Sequence, residues 1–240
     1  MKGPGPNPGP LSAPSCATRG PPLYWDAMGF FRRELSAIGL FLKTYRNEII
    51  VIGFATLFLC LEEYHPIGND WLNSLFYFLF LPILVIVGLL RKNPLDFGLR
   101  LGDARKWAAY VGLTVVIGAP ILYATSRMAA FQGYYDMQDF SVARYFFTTM
   151  GTLLGSEFLF RGFLIFGLKD RFKEGAILIQ LIPFVLVHFT KPELETLSTI
   201  LTGIYFGFVV YRTKSFWPAY VIHMFINVFF VASVNLLFVR

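Results

Sequence analysis

From Trp71 to Leu90 the chain runs for twenty positions without a charged side chain. As a helix, a stretch of that length matches the ~30 Å hydrocarbon core of a bilayer, and no ordinary soluble domain needs one. The composition agrees. Hydrophobic residues make up 55% of the 240 positions, aromatic residues 18% and charged residues only 15%. A typical soluble domain carries roughly a quarter charged residues. Together with a mean hydropathy of +0.57, these figures exclude a disordered chain, a disulfide scaffold and an ordinary cytosolic enzyme.

Further apolar runs give an all-α, polytopic helical membrane protein. Spans are expected at about 48–62, 71–90, 107–125, 142–168, 176–189, 196–212 and 216–238, about seven transmembrane helices. Ahead of them, Phe31, Leu35, Ile38, Leu42 and Tyr45 recur at spacings of three and four, with Arg32, Arg33, Lys43 and Arg46 between them. That pattern predicts an amphipathic juxtamembrane helix within 23–47. Residues 1–22 hold seven of the fourteen prolines and no periodicity, which reads as a disordered Pro/Gly-rich tail. Residues 48–240 then form a single transmembrane domain. Cys16 and Cys60 show no metal-ligand or redox spacing.

The net charge of +6 is explained by where the cations lie. Basic residues gather before the first span, at 91–106, at 169–173 and at 212–214. The alternate connections hold Glu62, Glu63, Asp70, Asp136 and Asp139. This is the positive-inside pattern, and it puts the N-terminus in the cytoplasm and the C-terminus outside. The basic balance is therefore topology, and no nucleic-acid partner is expected.

An ionisable group at the centre of a span costs about 2.5–3.5 kcal/mol on the insertion scale and marks a functional site by default. Here such groups are few. Glu157 and Arg161 lie four apart in LLGSEFLFRGFL, His188 ends FVLVH four residues after Phe184, and His223 lies four before Asn227 in HMFIN. His65, beside Pro66, lies in a loop and is set aside. Each pair shares a helix face, so three helices can aim a carboxylate, two imidazoles and an amide into one cavity. A carboxylate with a neighbouring imidazole can activate water, while His223 and Asn227 can stabilise the oxyanion of a peptide under attack. Glu157, His188 and His223 could instead hold a zinc ion that activates the water; no cofactor is required by the first scheme, and no HExxH supports the second. Taken singly, Glu157–Arg161 reads equally as a structural ion pair and each histidine as an interhelical hydrogen-bond partner.

Ser156 to Arg161 (SEFLFR), Phe184 to His188 and His223 to Asn227 resemble, in order, the Glu-Glu-x-x-x-Arg, Phe-x-x-x-His and His-x-x-x-Asn motifs of the CPBP family of intramembrane proteases. That family includes the CAAX prenyl endopeptidases and the bacteriocin-processing and self-immunity proteins. The likeness covers roughly residues 85–235. It implies an intramembrane endopeptidase acting on a membrane-anchored, lipidated protein or peptide, with Glu157, His188, His223 and Asn227 catalytic and Arg161 supporting. In the family the first glutamate of the pair is the usual water-activating base, and here that position is Ser156. Glu157 can take over, or a carboxylate from the HFTKPELE segment, Glu195 rather than Glu193, can stand beside His188. Glu193 and Glu195 also suit a helix N-terminus as plain first-turn charges. The serine leaves open a catalytically inactive member that binds or chaperones its target. A proton-coupled transporter would use the same groups as a relay, but no internal repeat supports it.

Overall fold

The computed structural model describes residues 27–236. The expected tail at 1–22 lies outside them. Every regular element among the described residues is helical, and this is a polytopic membrane protein.

Helix α1, Ala27–Thr44, forms one unit by itself and ends before Tyr45. It leaves Phe31, Leu35, Ile38 and Leu42 exposed, as a helix with an unshielded apolar stripe must. The remaining chain forms the second unit. It contains α2 (Arg46–Tyr64), α3 (Asp70–Leu90), α4 (Ala104–Thr125), the short α5 (Ala129–Tyr135), α6 (Val142–Phe172), α7 (Gly175–Leu186), α8 (Glu193–Thr213) and α9 (Trp217–Leu236).

Five of these, α3, α4, α6, α8 and α9, are long and apolar enough to cross a membrane. Two expected spans differ. Helix α2 is 19 residues long but carries Glu48, Glu62 and Glu63 near its ends. Helix α7 has only 12 residues, about 18 Å of rise, and stops at Leu186 before His188 is reached. Pro183 lies in its last turn, and the chain turns through 187–190 instead of continuing.

Helix α6 is the centre of the second unit. Phe158, Leu159, Phe160, Phe163, Leu164, Ile165 and Leu168 are all buried along it, whereas α4 buries none of its residues. Two pairs of small residues let neighbours approach closely. Gly151 and Gly155 face α3, where the Ser74 carbonyl sits where a Cβ on Gly155 would stand and the Ser74 hydroxyl donates to the Thr152 carbonyl at 2.5 Å. Gly203 and Gly207 of α8 face Leu181, Phe184 and Ile177 of α7. There the buried Gln180 amide donates to the Gly203 carbonyl at 3.1 Å. Dispersion and such hydrogen bonds hold apolar helices together in lipid, where burial from water supplies little drive. Helix α9 packs on α4, α6 and α8. The motif-bearing stretches of α6, α7 and α9 thereby converge.

Candidate active site

Helix α6 widens into a π turn over Phe158–Leu164, directly after Glu157. Such departures from α geometry often mark functional positions. Glu157 and Arg161 are both fully buried, with Arg161 Nη1 3.3 Å from Glu157 Oε1. The same Oε1 accepts from His223 Nδ1 at 2.7 Å. No described residue hydrogen-bonds the guanidinium. It rests instead on aromatic faces, 3.8 Å from the ring centre of Phe184 and 5.2 Å from that of Phe206, a desolvated cation–π arrangement.

Phe184 organises the next layer. Its ring lies 4.7 Å from His188 and 6.3 Å from His223, centroid to centroid. Helix α7 ends at Leu186, and the turn that follows sets His188 on the same cavity as His223. His188 Nδ1 bonds the Phe184 carbonyl at 2.7 Å. A carbonyl only accepts, so Nδ1 carries the proton and Nε2 keeps its lone pair for other chemistry. The start of α8 docks here as well, with Thr196 Oγ1 donating to the His188 carbonyl at 2.6 Å. The Tyr145 hydroxyl of α6 donates to Oδ1 of Asn227 on α9 at 3.3 Å, which turns the Asn227 NH2 away as a free donor.

A cavity of about 580 Å³ lies over these groups and is lined by Ser156, His188, Glu195, His223 and Asn227, together with Lys191. A second chamber of about 360 Å³, walled by Leu122, Phe131, Phe206, Ile226 and Phe230, shares Phe184, His188, Glu195, His223 and Asn227 with the first. These shared polar residues therefore stand between the two chambers, of which the second is the more apolar.

Six of the residues singled out from sequence are brought together: Glu157, Arg161, His188, His223, Asn227 and Glu195. They are not equivalent. Glu157 stands behind His223 and does not line the cavity. Ser156 does, but its hydroxyl is turned back to the Leu153 carbonyl at 3.3 Å. Glu195, in the first turn of α8, is the glutamate that faces the cavity, while Glu193 is exposed. Both Glu195 oxygens accept from the Tyr135 hydroxyl, at 2.8 and 2.7 Å. Burial, and then the Glu195 carboxylate, push the Tyr135 hydroxyl above its ordinary pKa, so it stays a protonated donor. Tyr135 and Tyr145 escaped the sequence reading because neither sits in a charged motif and both partners are distant in the chain.

Among the described residues no three His, Cys, Asp or Glu side chains gather as metal ligands. Glu157 Oε1 is engaged by Arg161 and His223.

Residues 138–229 match the family model described as type II CAAX prenyl endopeptidase Rce1-like. That segment is therefore similar to the type II CAAX prenyl endopeptidases. No curated protein and no solved structure matches the chain significantly. The matched segment carries Ser156, Glu157, Arg161, His188, Glu195, His223 and Asn227. Tyr135, which holds Glu195, lies just before it.

Proposed function

We propose that this protein is an intramembrane endopeptidase in which Glu195 replaces the carboxylate lost at Ser156. The observation that supports this is the position of Glu195: it lines the same cavity as His188, His223 and Asn227, whereas Glu157 stays behind His223. Glu195 takes one proton from a water whose other O–H donates to the free Nε2 of His188, and the water oxygen attacks the scissile carbonyl carbon. The oxygen of that carbonyl becomes an oxyanion. It accepts from the Asn227 NH2 and from Nε2–H of His223, which in its protonated form gives its Nδ1–H to Glu157. Collapse of the tetrahedral intermediate breaks the C–N bond, the proton moves to the leaving amine, and a carboxylate and a free amine result.

Glu157 and Arg161 are positioning groups in this scheme. Glu157 fixes the ring of His223, and Arg161 balances the buried charge. The substrate is a membrane-anchored, prenylated protein or peptide, as the family description suggests. Its peptide occupies the 580 Å³ chamber and its lipid the more apolar one. The basic segments after α3, α6 and α8 face the cytoplasm.

The test is cleavage, by purified protein, of a fluorogenic peptide whose farnesylated cysteine lies three residues from its C-terminus. Glu195→Gln and His188→Ala should each lower kcat by about 100-fold or more, the usual loss when a general base is removed. Unchanged cleavage in Glu195→Gln would remove Glu195 from the chemistry. A wild-type protein inert toward the peptide would favour the binding-only reading that Ser156 suggests.

A further inference from the structure

We propose that Tyr135 is a positioning residue for this peptidase, fixing the Glu195 carboxylate at the cavity, and that Asn235 in turn fixes Tyr135. The inference rests on Glu195 being the water-activating carboxylate.

A carboxylate at position 156 would stand in the interior of α6, on the most buried helix of the unit. Glu195 stands instead in the first turn of α8, straight after the 187–192 connection. A long side chain at a helix start has several rotamers to lose and little around it to select one. The Tyr135 hydroxyl supplies the selection by bonding both oxygens. No other described residue donates a hydrogen bond to that carboxylate.

Tyr135 is itself tightly held. Its ring is buried and packs edge-on against Phe230 at 5.6 Å, within a small apolar cluster of Phe131, Phe230, Val231 and Val234. Lys191 Nζ lies 5.3 Å from the same ring centre. The backbone is pinned on both sides of the α5 terminus by one side chain. Asn235 Nδ2 donates to the Tyr135 carbonyl at 2.9 Å, and Asn235 Oδ1 accepts from the Met137 N–H at 2.8 Å. Asn235 Nδ2 also donates to the Val231 carbonyl at 2.8 Å, so the amide is locked to its own helix. A chain of contacts thus runs from α9 through α5 to the carboxylate on α8. Tyr135 and Asn235 both lie outside residues 138–229, so this device is added from beyond the family segment.

The experiment measures kcat and KM with the farnesylated peptide, and melting temperatures, for the wild type, Tyr135→Phe, Glu195→Ala and the double variant. Tyr135→Phe should lower kcat about tenfold, the loss expected for one hydrogen bond to a charged group, and leave KM unchanged. On the Glu195→Ala background it should lower kcat no further. The melting shifts should be non-additive, since both changes remove one contact. Additive melting shifts would overturn the inference, because the contact would then be absent. Non-additive melting with an unchanged kcat in Tyr135→Phe would also overturn it, leaving Tyr135 a strut. If Glu195→Ala keeps wild-type kcat, or the wild type is inert toward the peptide, the reading of Glu195 fails and takes this role with it. The melting cycle would still report the contact and so separate the two failures.

Discussion

Replacing Arg161 by methionine isolates the energetic centre of the site. The guanidinium and the Glu157 carboxylate are fully buried, 3.3 Å apart at their closest atoms. At an effective dielectric of about 20, that separation corresponds to about 5 kcal/mol of attraction. Part is offset by relief of the buried arginine's desolvation, and breaking a buried pair typically costs about 3–5 kcal/mol in all. Methionine keeps most of the stem's packing against Phe184, Phe206 and Phe160, so the loss is chiefly that of charge balance. At roughly 2–4 °C per kcal/mol for a chain of this size, Arg161→Met should melt about 10 °C below wild type. The assay is thermal unfolding in nanodiscs followed by tryptophan fluorescence. Removing both charges, in Glu157→Gln with Arg161→Met, should recover at least half of that loss, because neither charge is then left unpaired. Activity should not recover, since His223 loses its anionic partner. A single variant that melts within about 2 °C of wild type, or a double variant that melts below the single, would refute the argument.

Three further substitutions probe packing and the oxyanion side. Gly155→Ala places a methyl group against the Ser74 carbonyl; it should destabilise the α3–α6 contact by about 1–3 kcal/mol, the usual penalty of overpacking, seen as a lower melting temperature. Gly53→Ala meets nothing within 4 Å and should leave melting unchanged or slightly raised. Tyr145→Phe frees the Asn227 amide to rotate, and kcat should fall about tenfold with KM unchanged, whereas a role confined to packing would lower the melting temperature alone.

Much of this arrangement was legible in the sequence, for a physical reason. In a chain so poor in charge, each ionisable group inside an apolar run must have a partner. Glu157, Arg161, His188, His223 and Asn227 could therefore be picked out and grouped by helical spacing alone. Hydrophobic runs likewise placed α3, α4, α6, α8 and α9. Three things were hidden. Hydropathy continued past Leu186 and suggested a full span, yet the helix ends with Pro183 in its last turn, and the turn that follows sets His188 on the same cavity as His223. Spacing paired Glu157 with Arg161 without showing that the carboxylate faces His223 and not the cavity. The tyrosines that hold Glu195 and Asn227 are separated from them by 60 and 82 positions, and no periodicity reports a contact of that range. The Gly203-x-x-x-Gly207 and Gly151-x-x-x-Gly155 pairs were visible as letters, but their packing meaning depended on which helices they meet.

The central claim is that the carboxylate missing at Ser156 has been supplied from α8. It is tested most directly by the rate at which three proteins cleave the farnesylated peptide: the wild type, Glu195→Gln, and Glu195→Gln combined with Ser156→Glu. The wild type should be active, Glu195→Gln about 100-fold slower, and the rate should recover in part when a glutamate is placed at position 156. A wild type that is inert until Ser156→Glu is introduced, or a Glu195→Gln variant as fast as wild type, would contradict it.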